Sequence, residues 1–176
     1  MSRRVVITGM GWVTPLGCDL DAVWARLLKG DNVAGPVTRF DASTFATNFA
    51  SEVKGFSLAD HFPTADHFER CGLSTRFAIA AGAMAARQAG IGTSVNPERI
   101  GLYMGAGEGP TNVEQLAASS VASWDADARR LNESRWTAEA LRRMSIEIER
   151  EQEPNATLAH MAQALRCYGP SANCMT

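Results

Sequence analysis

The 176-residue chain is poor in lysine: Lys29 and Lys54 are its only two. No Gly-Lys-Ser/Thr run occurs, which excludes a P-loop that cradles phosphate. A basic stripe is missing too. Lys and Arg total 17 against 19 Asp and Glu, for a net charge of -2. The arginines are interleaved with acids, as in Asp125-Ala126-Asp127-Ala128-Arg129-Arg130. That pattern argues against a dedicated nucleic-acid binder. Long apolar runs are absent. Phe77 to Ala86 is closed off by Arg76 and Arg87, well short of the roughly 20 residues a bilayer requires. The first residues offer only a short apolar run before Gly9, too little for a signal-peptide core. No membrane association and a cytoplasmic setting are expected. Finally, Cys18, Cys71, Cys167 and Cys174 form no C-x-x-C, so neither a zinc ribbon, a thioredoxin motif nor a disulfide framework is indicated.

What remains is ordinary globular composition, 45% hydrophobic and 20% charged, at a length that suits one domain. Arg4-Val5-Val6-Ile7-Thr8-Gly9 is a β-branched run stopped by glycine and predicts a buried strand. A loop with Gly11, Pro15 and Gly17 follows. Asp19 then caps a predicted helix from Leu20 to Lys29, ended by Gly30. Asp31 to Gly55 is loop-rich, with a short strand expected at Ala50 to Lys54. Ser74 or Thr75 caps a helix to about Ala89, apolar nearly all round and therefore expected to be buried on most sides.

Ile100 to Gly105 predicts an interior strand that runs into Gly105-Ala106-Gly107-Glu108-Gly109-Pro110. Thr111 to Ser123 is helix-compatible, and Thr137 to Arg150 predicts one helix. Pro154-Asn155 opens another to about Arg166, with Asn155 as cap and Gly169-Pro170 as breaker. Ser171 to Thr176 begins a further strand. Alternating strands and helices argue for an α/β layered fold with buried strands.

Several constellations invite chemistry. Gly9-Met10-Gly11 after a strand suggests a dinucleotide fingerprint, yet position 14 is Thr where the third glycine belongs. The cluster Gly105, Gly107, Gly109 fails the same way at Pro110. Close backbone packing at strand ends explains both. Ala59-Asp60-His61-Phe62 recurs as Ala65-Asp66-His67-Phe68, but the two histidines stand six apart with Pro63 between them. A solvated, partly helical segment is expected there rather than a metal site. His160 has no suitable neighbour in sequence, so no metal is expected. Asn132-Glu133-Ser134 and Asn155-Ala156-Thr157 match the glycosylation pattern without a secretory context. Cys174, in a predicted strand, has neither a base nor a helix dipole to activate it, and reads as a buried structural thiol.

Taken in order, these segments resemble the N-terminal part of the β-ketoacyl-[acyl carrier protein] synthases of the elongating type. The residues that carry the likeness are Arg3-Arg4-Val5-Val6-Ile7-Thr8-Gly9-Met10-Gly11, Thr14-Pro15-Leu16-Gly17, Trp24 with Leu27-Leu28 and Gly30, Arg39-Phe40-Asp41 and Ser51-Glu52-Val53. Pro97-Glu98-Arg99-Ile100-Gly101, Gly105-Ala106-Gly107, Pro154-Asn155 and Tyr168-Gly169-Pro170-Ser171 complete them. The likeness covers nearly the whole chain and is weakest from about Ser120 to Glu151.

The resemblance implies a thiolase-like α/β fold of two similar halves, of which residues 1–176 would supply most of the first. It implies decarboxylative Claisen condensation of an acyl thioester with malonyl-ACP in fatty-acid or polyketide synthesis. Acyl carrier protein would be the partner, in a homodimer or a heterodimer with a related subunit, and no cofactor would be needed. The family's nucleophile is the Cys of Thr-Ala-Cys at the start of a helix. Thr176 matches the Thr, so the Cys would be the second residue beyond it, and 1–176 would contain no catalytic residue. The chain would thus be truncated just before the nucleophile motif is complete. Gly107 and Glu108 match the loop that lines the acyl pocket, where Glu108 replaces an apolar residue; a carboxylate there either turns outward or pairs with an Arg, or else marks a pocket for a short, polar or unusual acyl group. A non-catalytic partner subunit of the chain-length-factor kind is the alternative.

Overall fold

A computed structural model describes residues 4–92, 95–107 and 112–175. The elements in order are α1 (Leu20–Leu28), β1 (Gly35–Pro36), β2 (Phe49–Ala50), α2 (Leu73–Gln88), β3 (Leu102–Gly105) and α3 (Val113–Ala122). They continue with β4 (Trp124–Asp125), β5 (Arg130–Leu131), α4 (Glu133–Arg143), α5 (Ile146–Arg150), α6 (Ala156–Leu165) and β6 (Ser171–Cys174). Short 3₁₀ turns at Leu58–Asp60 and Ala65–Phe68 precede α2. No helix among the described residues is long and apolar enough to cross a membrane.

The centre is a helix pair laid on a strand pair. Helices α2 and α6 pack together, and α6 also touches β3 and β6. Ile79 and Ala80 of α2 are fully buried, joined in one core by Met161, Leu58, Phe68 and Cys71. Gly82 lets α6 approach: a Cβ there would stand 2.6 Å from Leu165 and 3.1 Å from Met161. The predicted cap of α2 is corrected by this packing. Gly72 holds the N-cap position without a side-chain bond. Thr75 is instead buried inside the helix, its hydroxyl 2.7 Å from that of Thr157 on α6. A buried hydroxyl needs a partner, and here the neighbouring helix supplies it. The expected burial of α2 holds along its middle, where residues 81–86 are half-buried.

Strands β3 and β6 run parallel, with Leu102 opposite Ser171 and Gly105 opposite Cys174. Leu102 and Met104 face the helices, whereas Tyr103 is 82% exposed. The strands are therefore covered on one face, not on both as predicted, because a single helix layer lies on them within the described residues. Cys174 shares the open face through the two-residue alternation. It is an exposed thiol, which corrects the expectation of a buried one. All four cysteines are free, Cys71 and Cys167 are buried, and Cys18 is half-buried.

Other predicted elements differ in detail. Arg4 to Gly9 joins no ladder, and Val5 and Ile7 are 93% and 85% exposed. Its β-branched side chains favour extended backbone, but a strand also requires a neighbouring edge. The strand expected at Ala50–Lys54 shrinks to the two-residue β2, antiparallel to β1. The helix expected over Thr137–Arg150 starts earlier and breaks at Met144 (ψ 135°), leaving α4 and α5. Asn155 occupies the N-cap of α6 without capping through its side chain. That helix ends at Leu165, before Gly169-Pro170, because Arg166 turns left-handed (φ 54°) and Cys167 N–H bonds back to the Ala162 carbonyl at 3.0 Å. By contrast, Asp19 caps α1 as expected, accepting from Ala22 N–H at 2.8 Å. Gly90 closes the end of α2 with φ +67°.

Candidate functional site

In parallel α/β sheets ligands favour the carboxyl ends of strands. Here those ends are Gly105 and Cys174, paired side by side, with the Ala106 N–H donating to the Cys174 carbonyl at 3.2 Å. The β3 chain therefore leaves its strand as Gly105-Ala106-Gly107 directly beside the end of β6. Two of these three residues lack a side chain, so the backbone itself lines the space. Among the described residues a Cβ on Gly107 would meet nothing within 4 Å, so the close backbone packing expected of this second glycine cluster is not found at Gly107. Glu108, the position predicted to bear on an acyl pocket, lies outside the described residues, as does Thr176.

The strand ends are held in place from upstream. The Tyr168 N–H donates to the Pro97 carbonyl and the Gly169 N–H to the Ile100 carbonyl, both at 2.9 Å. The Leu102 N–H returns to the Pro170 carbonyl at 3.1 Å. Thus Pro97-Glu98-Arg99-Ile100-Gly101 and Tyr168-Gly169-Pro170-Ser171 are backbone partners of each other. Glycine is required at the crossing: a Cβ on Gly169 would stand 2.8 Å from the Glu98 carbonyl oxygen and 2.9 Å from that of Ile100.

The first glycine pair works the same way against a helix. A Cβ on Gly9 or Gly11 would collide with the carbonyl oxygens of Ala85 and Ala81 on α2. The Met10 N–H donates to Gln88 Oε1 at 2.6 Å. This pair is a packing contact, as the sequence reading favoured. Further on, Thr14 and Gly17 exchange two backbone bonds, of 3.0 and 3.1 Å. The Arg26 guanidinium donates to the Leu16 carbonyl at 2.7 Å and ties this turn to α1.

An apolar cleft of about 570 Å³ opens at the other end of β3, lined by Gly9, Ala85, Ile100, Leu102, Leu165 and Cys167 among others. Burial pushes the Cys167 thiol up, so it is a poor nucleophile there. The two repeat histidines are not brought together into a site. His61 stacks on Phe56 with ring centroids 5.9 Å apart, while His67 is exposed. His160 does have a neighbour that sequence spacing could not reveal, Glu151, at 2.9 Å from its Nε2.

Comparison with known proteins agrees with this arrangement. The family model described as Beta-ketoacyl synthase, N-terminal domain, matches residues 2–176. The chloroplastic 3-oxoacyl-[acyl-carrier-protein] synthase I of Hordeum vulgare is 37% identical over 117 residues, covering 63% of this chain and 25% of that protein. The 3-oxoacyl-[acyl-carrier-protein] synthase 2 of Staphylococcus aureus (strain COL) is 34% identical, covering 66% of this chain and 28% of its own length. Among solved structures, the ishigamide ketosynthase/chain length factor superposes with a TM-score of 0.72 at 26% identity, over 99% of this chain and 40% of that one. A β-ketoacyl synthase from Burkholderia phymatum STM815 gives a TM-score of 0.70 at 20% identity, over 97% of this chain and 39% of that one, a likeness of fold alone. The chain spans about a quarter of the length of the curated relatives it matches. With a family model matched from residue 2 onward and a ketosynthase fold over 99% of its length, the chain belongs to the β-ketoacyl synthase N-terminal domain family and has a thiolase-like fold.

Proposed function

We propose that the protein carrying this chain is an elongating β-ketoacyl-ACP synthase, an acyltransferase of fatty-acid or polyketide synthesis that works in the cytoplasm. The observation that carries the reading is the β3–β6 register, which sets the side-chain-free Gly105 opposite Cys174 and leaves Gly107 in open space. That arrangement supports a thioester lying against backbone near the end of β6. Residues 1–176 contribute the fold's first part and a wall of the site, with Gly107 and Glu108 on the acyl-pocket side. They supply no nucleophile. The reacting Cys is the second residue after Thr176, and its thiolate takes the acyl group from the phosphopantetheine thioester of a carrier protein. Loss of CO₂ from malonyl-ACP gives a carbanion. Its attack on the acyl-Cys carbonyl forms the carbon–carbon bond and returns the thiolate.

Acyl carrier protein is the substrate-bearing partner. A second synthase subunit, identical or related, completes the assembly. The open face of β3 and β6, with Tyr103 exposed, supports a further layer supplied by the rest of the protein. In support, one structural neighbour is a type II PKS acyl-carrier protein in complex with its ketosynthase.

The test is intact-mass analysis of the full protein after incubation with acyl-ACP, followed by addition of malonyl-ACP. An acyl adduct that maps to the second residue after Thr176 and is consumed to give 3-oxoacyl-ACP is expected. An adduct on Cys174 overturns the assignment of the nucleophile. Absence of any adduct, with altered chain length when a catalytic relative is added, establishes the non-catalytic partner instead. The likeness to a ketosynthase/chain length factor favours that second reading over others.

A further inference from the structure

A second cluster of reactive side chains lies away from the β3–β6 ends. The Cys71 Sγ, a Glu151 carboxylate oxygen and a His160 ring nitrogen all fall within 4.8 Å of one another. They arrive from three places: Cys71 from just before α2, Glu151 from the residue after α5, and His160 from the middle of α6. Cys71 is 7% exposed, and the His160 and Glu151 side chains are about a quarter exposed. The His160 ring stands edge-on to the buried Phe68, centroids 6.1 Å apart at 87°.

The cluster is only partly satisfied internally. Glu151 Oε1 takes the His160 bond, while Oε2 is buried with no hydrogen bond of ordinary geometry among the described residues, and only the weak Cys71 S–H donor stands beside the carboxylate. So weakly paired a carboxylate oxygen away from water is costly, and a cation would satisfy it. Arg76 is the nearby fixed cation, and it favours the Cys71 thiolate less than burial and Glu151 oppose it.

We propose that Cys71, Glu151 and His160 bind one zinc ion, with water as the fourth ligand. One sulfur, one nitrogen and one carboxylate oxygen form a mixed donor set suited to zinc. The thiolate disfavours calcium and magnesium, which take oxygen ligands. Bonds of about 2.0–2.3 Å put tetrahedral ligand pairs roughly 3.3–3.8 Å apart, so side-chain adjustments within the present cluster reach that geometry. Binding exchanges the Cys71 proton for the metal and releases it to solvent, with no change of oxidation state.

A nucleophilic Cys–His pair is the weaker reading of the same atoms. Burial, reinforced by the adjacent Glu151 carboxylate, pushes the Cys71 thiol up to about 11, and a protonated thiol is a poor nucleophile. A dication offsets the same carboxylate and deprotonates a coordinating thiol.

The test is titration of the metal-free full protein with Co²⁺, followed by competition with Zn²⁺. One saturable site with a thiolate-to-cobalt charge-transfer band, displaced by Zn²⁺, is expected. Cys71→Ser removes the band. Glu151→Gln and His160→Gln each weaken Zn²⁺ binding by at least the roughly 10–100-fold that loss of an outer-shell partner costs. Cys167→Ser leaves it unchanged, and circular dichroism confirms that each variant is folded. No saturable uptake by the unsubstituted protein overturns the proposal, whether or not the variants fold. So does a band that survives Cys71→Ser. Because the readout is metal uptake, failure here leaves the condensation assignment untouched.

Discussion

The two Gly-x-Gly segments, 9–11 and 105–107, look alike in sequence and behave oppositely. In the first, both glycines lie against the backbone of α2, where any Cβ would strike a carbonyl oxygen. In the second, Gly105 has only ordinary contact, with the Cys174 carbonyl 4.0 Å from its would-be Cβ, and Gly107 meets nothing. A glycine can be present to let two backbones touch or to keep space clear. Only the environment distinguishes the two. The first pair should therefore be read out by stability, and the second by chemistry.

Gly11→Ala is the sharpest way to break the comparison. The opposing atoms belong to a helix backbone and cannot rotate aside, so the variant should lose about 2–3 kcal/mol in urea unfolding. Gly9→Ala should match it. If either is neutral, the segment does not rest on α2 in solution. Gly169→Ala comes next. Its neighbours are carbonyl oxygens at 2.8 and 2.9 Å, which leave the chain slightly more room to give, and a loss of about 1–2 kcal/mol is expected. That variant also separates the Pro97–Leu102 and Tyr168–Ser171 segments. It should speed amide exchange at Leu102 and Gly169 more than elsewhere.

Gly107→Ala should change stability by less than about 0.5 kcal/mol, as substitutions in open surroundings do. Under the proposed function it should nonetheless shift the preference for acyl-chain length, measured as the product distribution from acyl-ACPs of graded length. A large loss of stability with unchanged products would erase the distinction between the two pairs.

The smallest effect belongs to α4, which packs chiefly on α3. Hydrogen bonds from Arg142 and then Arg143 hold the Glu139 carboxyl below its ordinary range. A carboxylate depressed by folding stabilises the fold above its unfolded pKa, and that contribution is lost as pH falls through the folded pKa. The exposed setting keeps it small. Glu139→Gln should lower stability slightly at neutral pH and leave the acid-pH value unchanged, so the acid-side fall flattens, as measured by urea midpoints from neutral to acid pH.

Local features were legible because they depend on few residues. Asp19 at its cap, Gly90 at its turn and the apolar face of α2 each follow from neighbours within about a turn of chain. The glycine-bearing motifs were legible as an ordered set, and their order pointed to the family. Elements that depend on distant chain were not. Arg4 to Gly9 has the composition of a strand but pairs with no edge among the described residues. Thr75 has the composition of a cap, but it is used between helices. The break at Met144 and the hairpin of β4 and β5 (Trp124 opposite Leu131, Asp125 opposite Arg130) carry only weak turn signals in the run of charge around them.

The sequence by itself determined the α/β alternation, the family and where α1 and α6 begin, because periodicity, caps and glycine spacing are written in consecutive residues. Tertiary structure alone decided three things. It set which face of β3–β6 is covered and which glycines bear on backbone. It also brought Cys71, 80 residues before Glu151 and 89 before His160, within 4.8 Å of both. Such juxtapositions arise from the packing of α6 against α2, a non-local balance of burial and close approach at Gly82 that no short window of sequence contains.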